Sequence, residues 1–221
     1  MNRHVIIVAG GSGKRFQSKI PKQFLKLRDK SVVMHSIAAF NSCMPDIEVI
    51  LALPEEHYEM WQKLCDEYNF TIPHKLAKGG ETRFNSVKNA LELIDGEGYI
   101  AVHDGVRPLV SSKLIKNSFS ETEKLGNAVP LISVNDSVRI FDKGEYQIID
   151  RKQLKLVQTP QCFKSTILKK AYLQDYNDNF TDDASVVELY GEKIHFIDGD
   201  IDNIKITKES DLIVAESLLY Q

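Results

Sequence analysis

His4-Val5-Ile6-Ile7-Val8-Ala9 runs directly into Gly10-Gly11-Ser12-Gly13-Lys14-Arg15, and this junction decides the fold. An apolar, β-branched run that ends in a glycine-rich turn reads as a buried strand with its carboxyl end at a ligand. Glycines let backbone N–H groups approach a phosphate closely and tolerate positive φ. Arg15, and Lys22 in the following Pro21-Lys22-Gln23 step, supply the charge that a polyphosphate needs. A plain strand-to-helix turn would account for the glycines alone, but it requires neither Arg15 nor the Pro-Lys-Gln step. A nucleoside triphosphate site at the end of the first strand is the expectation. A Walker A loop is excluded, because Lys14 is followed by Arg15 rather than Ser or Thr. A dinucleotide fingerprint is excluded by Phe16, which stands where its third glycine belongs.

Outward from the junction, strand-like and helix-like runs alternate. Val32 to Cys43 has helical periodicity, Ile47 to Leu53 is a buried strand, and Pro54 opens a helix to about Tyr68. Ile72 to Leu76 is expected as a short strand, Thr82 to Ile94 as a helix, and Tyr99 to Val102 as a strand ending at His103-Asp104. Ser111 or Ser112 caps a helix to about Lys124, and Ala128 to Ile132 reads as a strand. Such alternation predicts parallel pairing through right-handed crossovers, with ligands at the carboxyl ends of the strands. The expected fold class is α/β with a mostly parallel central sheet, gathering the Gly10 turn, Gly80 and Asp104 along one edge.

The rhythm changes after Ser133. Asp136 to Phe141, a Lys143-Gly144 turn and Tyr146 to Asp150 resemble a hairpin, an excursion at about 134–156 from one domain spanning 1–221. A two-stranded ribbon needs something to pack on; the residues favour its own domain over another subunit. Helices are then expected from Lys164 to about Gln174, from Ala184 to Tyr190 and from Glu209, with strands at Ile194 to Ile197 and Asn203 to Ile206.

The 221 residues are 43% hydrophobic and 27% charged, ordinary for a globular domain with a substantial core. A net charge of −3 argues against a nucleic-acid scaffold, so any cationic chemistry must be focused locally. Cys43, Cys65 and Cys162 are odd in number and lack metal spacing, which fits reduced thiols in a cytoplasm. No apolar stretch approaches the ~18 residues of a membrane span and no signal segment opens the chain.

Several polar groups carry chemical content. Asp104, in His103-Asp104-Gly105-Val106-Arg107-Pro108, can hold Mg²⁺ bridged to phosphates or accept bonds from substrate hydroxyls. Arg107 either clamps a second anion or pairs with Asp104, and His103 reads as a hydrogen-bonded structural histidine. In Gly79-Gly80-Glu81-Thr82-Arg83-Phe84-Asn85-Ser86, exposed amides with Arg83 and Ser86 suit a base or ribose, and an ordinary capped helix start explains the pattern equally well. Thr181-Asp182-Asp183 is sufficiently explained as a helix cap. Lys205, flanked by Ile204 and Ile206, points outward or into a cleft. No nucleophile elbow, Cys/His pairing or His-Glu-x-x-His is present, which leaves chemistry carried by positioning and charge.

Taken in order, these blocks resemble the 2-C-methyl-D-erythritol 4-phosphate cytidylyltransferase family. The matching stretches are Ala9 to Arg15, Pro21-Lys22-Gln23-Phe24, Gly79 to Ser86, His103 to Pro108, Asp150-Arg151, Thr159-Pro160-Gln161, Thr181 to Ser185 and Asp202 to Thr207, which extend over nearly the whole chain. The resemblance implies a Rossmann-like nucleotidyltransferase that joins CTP to the polyol phosphate in non-mevalonate isoprenoid synthesis, releasing pyrophosphate, with Mg²⁺ or another divalent cation. It also implies a homodimer in which a β-arm embraces the partner, against the preference for self-packing. By position, Ala9, Gly10, Gly11, Ser12 and Gly13 approach the triphosphate, and Gly80, Glu81, Arg83 and Ser86 surround the cytidine. Arg15 and Lys22 stabilise the transition state. Asp104, Arg107, Ser137, Arg151, Thr159, Thr181 and Lys205 line the polyol phosphate, with Arg151 and Lys205 positioning it, Asp104 the metal candidate, and Ser137 and Arg151, on the arm, entering the neighbouring subunit's site. The family commonly carries Ala-Ala where Gly105-Val106 stands and Thr where Ser137 stands. Ribitol-5-phosphate cytidylyltransferases share the nucleotide half; the seven positions from Arg15 to Lys22, Asp150-Arg151 and Thr181 to Ala184 look closer to the methylerythritol enzymes. A catalytically silent nucleotide-binding regulator would not need Arg15, Lys22 and Lys205 together.

Overall fold

The computed structural model describes residues 1–10 and 20–219. Its centre is β1 (Asn2–Val8), flanked in parallel by β4 (Glu48–Leu53) and β6 (Gly98–Asp104), with β5 (Lys75–Lys78) parallel to β4. Alternation along β1 decides which side each residue serves. Val5 and Ile7 enter one core with α1 (Val32–Cys43), α2 (Tyr58–Glu67) and α4 (Ser112–Leu125). Ile6 enters the other, with α3 (Arg83–Leu91), α5 (Ser165–Ala171) and α6 (Asp183–Leu189). Both faces of the sheet are thus covered, which is why the strands read as continuous apolar runs.

The registers align the strand ends. Val8 lies opposite Asp104 and Ala52, and Leu53 opposite Lys78. Backbone bonds continue past them, from Ala9 N–H to Ala52 O, Gly79 N–H to Leu53 O and Gly105 N–H to Val8 O, each 2.9 Å. Gly10, Gly79-Gly80 and Asp104 therefore share one rim, as the alternation predicted.

The sheet is mostly parallel, as expected, with an antiparallel part on the β6 side. β11 (Gln161–Lys164) inserts antiparallel between β6 and β7 (Asn127–Ser133), while β10 (Lys155–Val157) pairs antiparallel and β12 (Phe196–Asp198) parallel with β7. β11 offers only Cys162 and Phe163 as an apolar run, too short for a periodicity argument. β5 begins three residues later than expected: Pro73 has no N–H for a ladder, and Ile72 packs with the core around Trp61 instead. Pro54 opens a single 3₁₀ turn, Glu55–His57, before α2 starts. β2 (Lys26–Leu27) and β3 (Lys30–Ser31) form a two-residue ribbon that leads into α1.

The hairpin after Ser133 is present as β8 (Val138–Asp142) and β9 (Glu145–Ile149), a two-stranded sheet of its own. It does not fold back on the chain. Ile140, Phe141, Tyr146 and Ile148 remain 51–81% exposed, so self-packing is not what the ribbon does.

Asn203 to Ile206 is not a strand. Instead of a ladder, Ile206 N–H donates to Val106 O at 2.9 Å and Asn203 is held by side-chain bonds, and α7 (Glu209–Leu218) follows the segment. Ile206 and Val106 are buried with Leu27, Val32 and Ala215 in a third small core, against which Ile204 packs. Val106→Ala should cost about 1–3 kcal/mol of unfolding free energy, seen as a lower urea midpoint at unchanged slope. Parental stability in that variant would show that Val106 does not seat this segment.

Candidate active site

Pro21-Lys22-Gln23-Phe24 makes sense as an anchor. Lys22–Phe24 is a 3₁₀ turn whose Gln23 side chain is buried and donates Nε2–H to Ala9 O at 2.8 Å. Phe24 stacks on Trp61, 6.2 Å between ring centroids, and meets the His57 ring edge-on at 5.8 Å. Lys22 is thereby held at the rim of a cleft of about 390 Å³ that Ala9, Gly10, Gly80, Glu81, Arg83, Ser86, Asp104 and Lys205 also line.

On the opposite wall Thr82 caps α3, accepting from Asn85 N–H at 3.2 Å. Ser86 Oγ donates to Thr82 O and accepts from Gly80 N–H, both at 3.0 Å, which folds the glycine turn over the first turn of α3. A Cβ on Gly80 would lie 2.3 Å from Asn85 Cβ, so only glycine permits the turn. The capped helix start and the lining of the cleft are therefore one arrangement here.

Asp104 closes the floor. Its buried carboxylate faces Lys205 Nζ at 2.9 Å, Arg107 Nε at 3.4 Å and Arg83 Nε at 3.5 Å. Burial alone would raise its pKa; Arg83, Lys205 and Arg107 outweigh that and hold it well below the usual carboxylate range. Three cations around one carboxylate do not fit a divalent metal ligand, and the described residues hold no group of three or more His, Cys, Asp or Glu side chains suited to one. Arg107 is further fixed by donating Nη1–H to Asn203 O at 2.8 Å.

Beneath lies a relay that the sequence showed only in part. Asp104 N–H donates to Thr159 Oγ1 at 3.1 Å; Thr159 Oγ1 lies 3.0 Å from His103 Nδ1, and His103 Nε2 lies 3.0 Å from Arg107 O. A ring protonated at Nε2 satisfies every bond, and Asn203 Nδ2–H to Thr159 O at 2.7 Å completes it. His103 is thus the structural histidine expected, and burial pushes its pKa down to about 4.

Thr159, Thr181, Arg107, Asp104, Arg83 and Lys205 line an adjoining cavity of about 250 Å³. Ser137 and Arg151 are not brought there. They line a separate hollow on the hairpin with Arg139 and Asp150, where Arg151 donates to Asn135 O. Gly11, Ser12, Gly13 and Arg15 lie outside the described residues. Gln23, Asn203 and Asp183 bond directly to site groups without having been singled out, although all three stand inside the quoted blocks.

The profile of the family described as 2-C-methyl-D-erythritol 4-phosphate cytidylyltransferase matches residues 3–221. The chain belongs to that family. Proteins of that name from Phocaeicola vulgatus and Bacteroides fragilis are 47% and 45% identical over 219 residues, covering 99% of this chain and 100% of each relative. The Thermus thermophilus enzyme of that name superposes with a TM-score of 0.81 at 29% identity, each chain covered in full. A bifunctional IspDF from Campylobacter jejuni gives 0.81 at 32% identity, covering 97% of this chain and 54% of the other. Within the cytidylyltransferase family, the Gly105-Val106 departure has a packing reason. A Cβ at residue 105 would sit 3.2 Å from Ile7 Cγ2, Val33 Cγ2 and Val8 O, while Val106 fills the core under Ile206.

The buried neutral His103 fixes a pH dependence. Its folded pKa, about 4, lies below the ordinary 6.5, so only the unfolded chain takes up this proton between those values. Stability is complete above about 6.5 and declines as pH falls towards 4, by about 3 kcal/mol in full. Urea unfolding across that window should show the slope, and His103→Gln, with no proton to gain, should flatten it; an equal slope in both would refute the assignment.

Proposed function

We propose that this chain catalyses transfer of the cytidylyl group from CTP to 2-C-methyl-D-erythritol 4-phosphate, releasing pyrophosphate. The observation that carries the reading is the convergence of Lys22, Arg83 and Lys205, from three distant segments, on one cleft beside the glycine turns. A phosphate oxygen of the polyol phosphate attacks the α-phosphorus in line as the bond to the pyrophosphate oxygen breaks. The attacking oxygen is already anionic, so no general base is needed. The barrier is repulsion between two polyanions and charge growing on the α-phosphate and pyrophosphate, which preorganised cations and amides offset. In this reading Gly10 and the segment after it hold the triphosphate, Gly80, Glu81 and Ser86 border the cytidine, and Arg15 and Lys22 face the α-phosphate. Thr159, Thr181, Arg107, Asp104 and Lys205 receive the polyol phosphate. A divalent cation enters with the triphosphate, as part of the substrate.

The hairpin belongs to a homodimer in this proposal. Its Ile140, Phe141, Tyr146 and Ile148 stay exposed among the described residues, and Ser137 and Arg151 face a hollow of their own rather than the cleft. Both are explained when the arm lies over a second copy and adds Arg151 to that copy's polyol cavity. The domain is then residues 1–221 with the arm as its excursion. Free Cys43, Cys65 and Cys162 fit a cytoplasmic setting, and no described helix is long and apolar enough to cross a membrane.

Pyrophosphate release with CTP and methylerythritol phosphate, run beside ribitol 5-phosphate, tests the activity. Lys22→Ala and Lys205→Ala should each lower turnover on the order of 10²–10³-fold; near-normal rates in both would remove the electrostatic mechanism. Release with neither alcohol phosphate would leave a nucleotide-binding regulator.

Mixing tests the arm. Lys22→Ala and Arg151→Ala chains, unfolded and refolded together, should recover activity that neither has alone, because one site per mixed dimer then holds both native cations. Absence of recovery in a verified mixed dimer would place Arg151 outside the partner's site.

A further inference from the structure

The cytidylyl-transfer reading leaves one buried carboxylate without a role. Asp183, the first residue of α6, is fully buried, and both its oxygens are engaged. Oδ2 accepts from Arg83 Nη2 at 2.7 Å and Oδ1 from the Tyr172 hydroxyl at 2.6 Å. On its other side the same guanidinium presents Nε to Asp104 Oδ1 at 3.5 Å. Arg83 borders both the nucleotide cleft and the adjoining cavity, so it forms the wall between them.

We infer that Asp183, backed by Tyr172, is a positioning residue that fixes the Arg83 guanidinium between the two substrate cavities and so sets how the two substrates meet. The support is built in depth. Tyr172 stacks on Phe84 with ring centroids 4.7 Å apart, and Phe84 follows Arg83 on α3, so one aromatic contact sets the spacing of both partners. The start of α6 is clamped by Gln161, which accepts from Ala184 N–H at 2.8 Å and donates to Asp182 at 2.9 Å. Burial and the neighbouring Asp183 charge push the Tyr172 phenol well above its ordinary pKa, so it remains a donor.

Stability does not explain the pair. A buried ion pair is commonly matched or bettered by apolar residues of similar volume. What a carboxylate supplies here is a second anchor for a guanidinium that would otherwise have Asp104 alone. Without it, Arg83 is drawn wholly onto Asp104, competes there with Lys205, and leaves the wall between the cavities.

The inference rests on the cytidylyl-transfer reading and is tested in the same assay. Asp183→Asn keeps the shape and removes the charge. It should raise the KM for the polyol phosphate and lower kcat/KM on the order of 10²-fold, the loss expected of a misplaced reactive geometry. Tyr172→Phe, which keeps the charge, should shift the same parameters severalfold. In an Arg83→Gln background, adding Asp183→Asn should change kinetics less than about twofold, because the two act as one unit. Parental kcat and KM in Asp183→Asn, or losses that multiply fully with those of Arg83→Gln, would overturn the assignment whatever happens to Tm. If Asp183→Asn does not fold, unchanged kinetics in Tyr172→Phe overturn it. An active parent beside an unaltered Asp183→Asn leaves the cytidylyl-transfer reading standing; an inactive parent overturns that reading and this assignment with it.

Discussion

One carboxylate organises the cleft. Asp104 ends the central strand β6, and the cations around it arrive from the start of α3, the turn after β6 and the extended segment before α7. Brought together without it, Arg83, Arg107 and Lys205 would repel one another in a partly buried space. With it, their repulsion is offset before any anion binds. A chain of net charge −3 can therefore present a local field suited to polyanions without a basic surface.

The layers beneath Asp104 divide the work. Backbone register along β1, β4 and β6 brings the strand ends to one rim. Buried polar side chains then set orientation: Gln23 on Ala9, Thr159 and His103 under Asp104, Asn203 on Thr159 and Arg107, Asp183 on Arg83. Arg83 and Arg107 are thus each held by a buried partner, Asp183 and Asn203. Side chains locked this way lose little further freedom when ligands arrive, which is what preorganisation requires.

The parallel heart of the sheet was legible because β1, β4 and β6 are apolar on both faces, and the rule for strand ends then located the cleft. Thr82 and Ser111 announced their helices by capping chemistry, and both act as caps. The antiparallel β11 was not legible, since two buried residues carry no period. Lys205 was read as part of a strand; its orientation comes instead from Val106 and Ile206, a tertiary contact across 100 positions of sequence. Asp183 was hidden for a different reason: its neighbour Asp182 does cap α6, and that sufficient local role masked a long-range one.

The chain holds one tryptophan. Trp61 is buried against Phe24, in the same turn as Lys22, and its indole N–H donates to His74 Nε2 at 2.9 Å. The molecule consequently has its own optical reporter, a single indole packed against the turn that carries Lys22. Excited apart from the tyrosines, that indole is placed to register movement of the turn without any label.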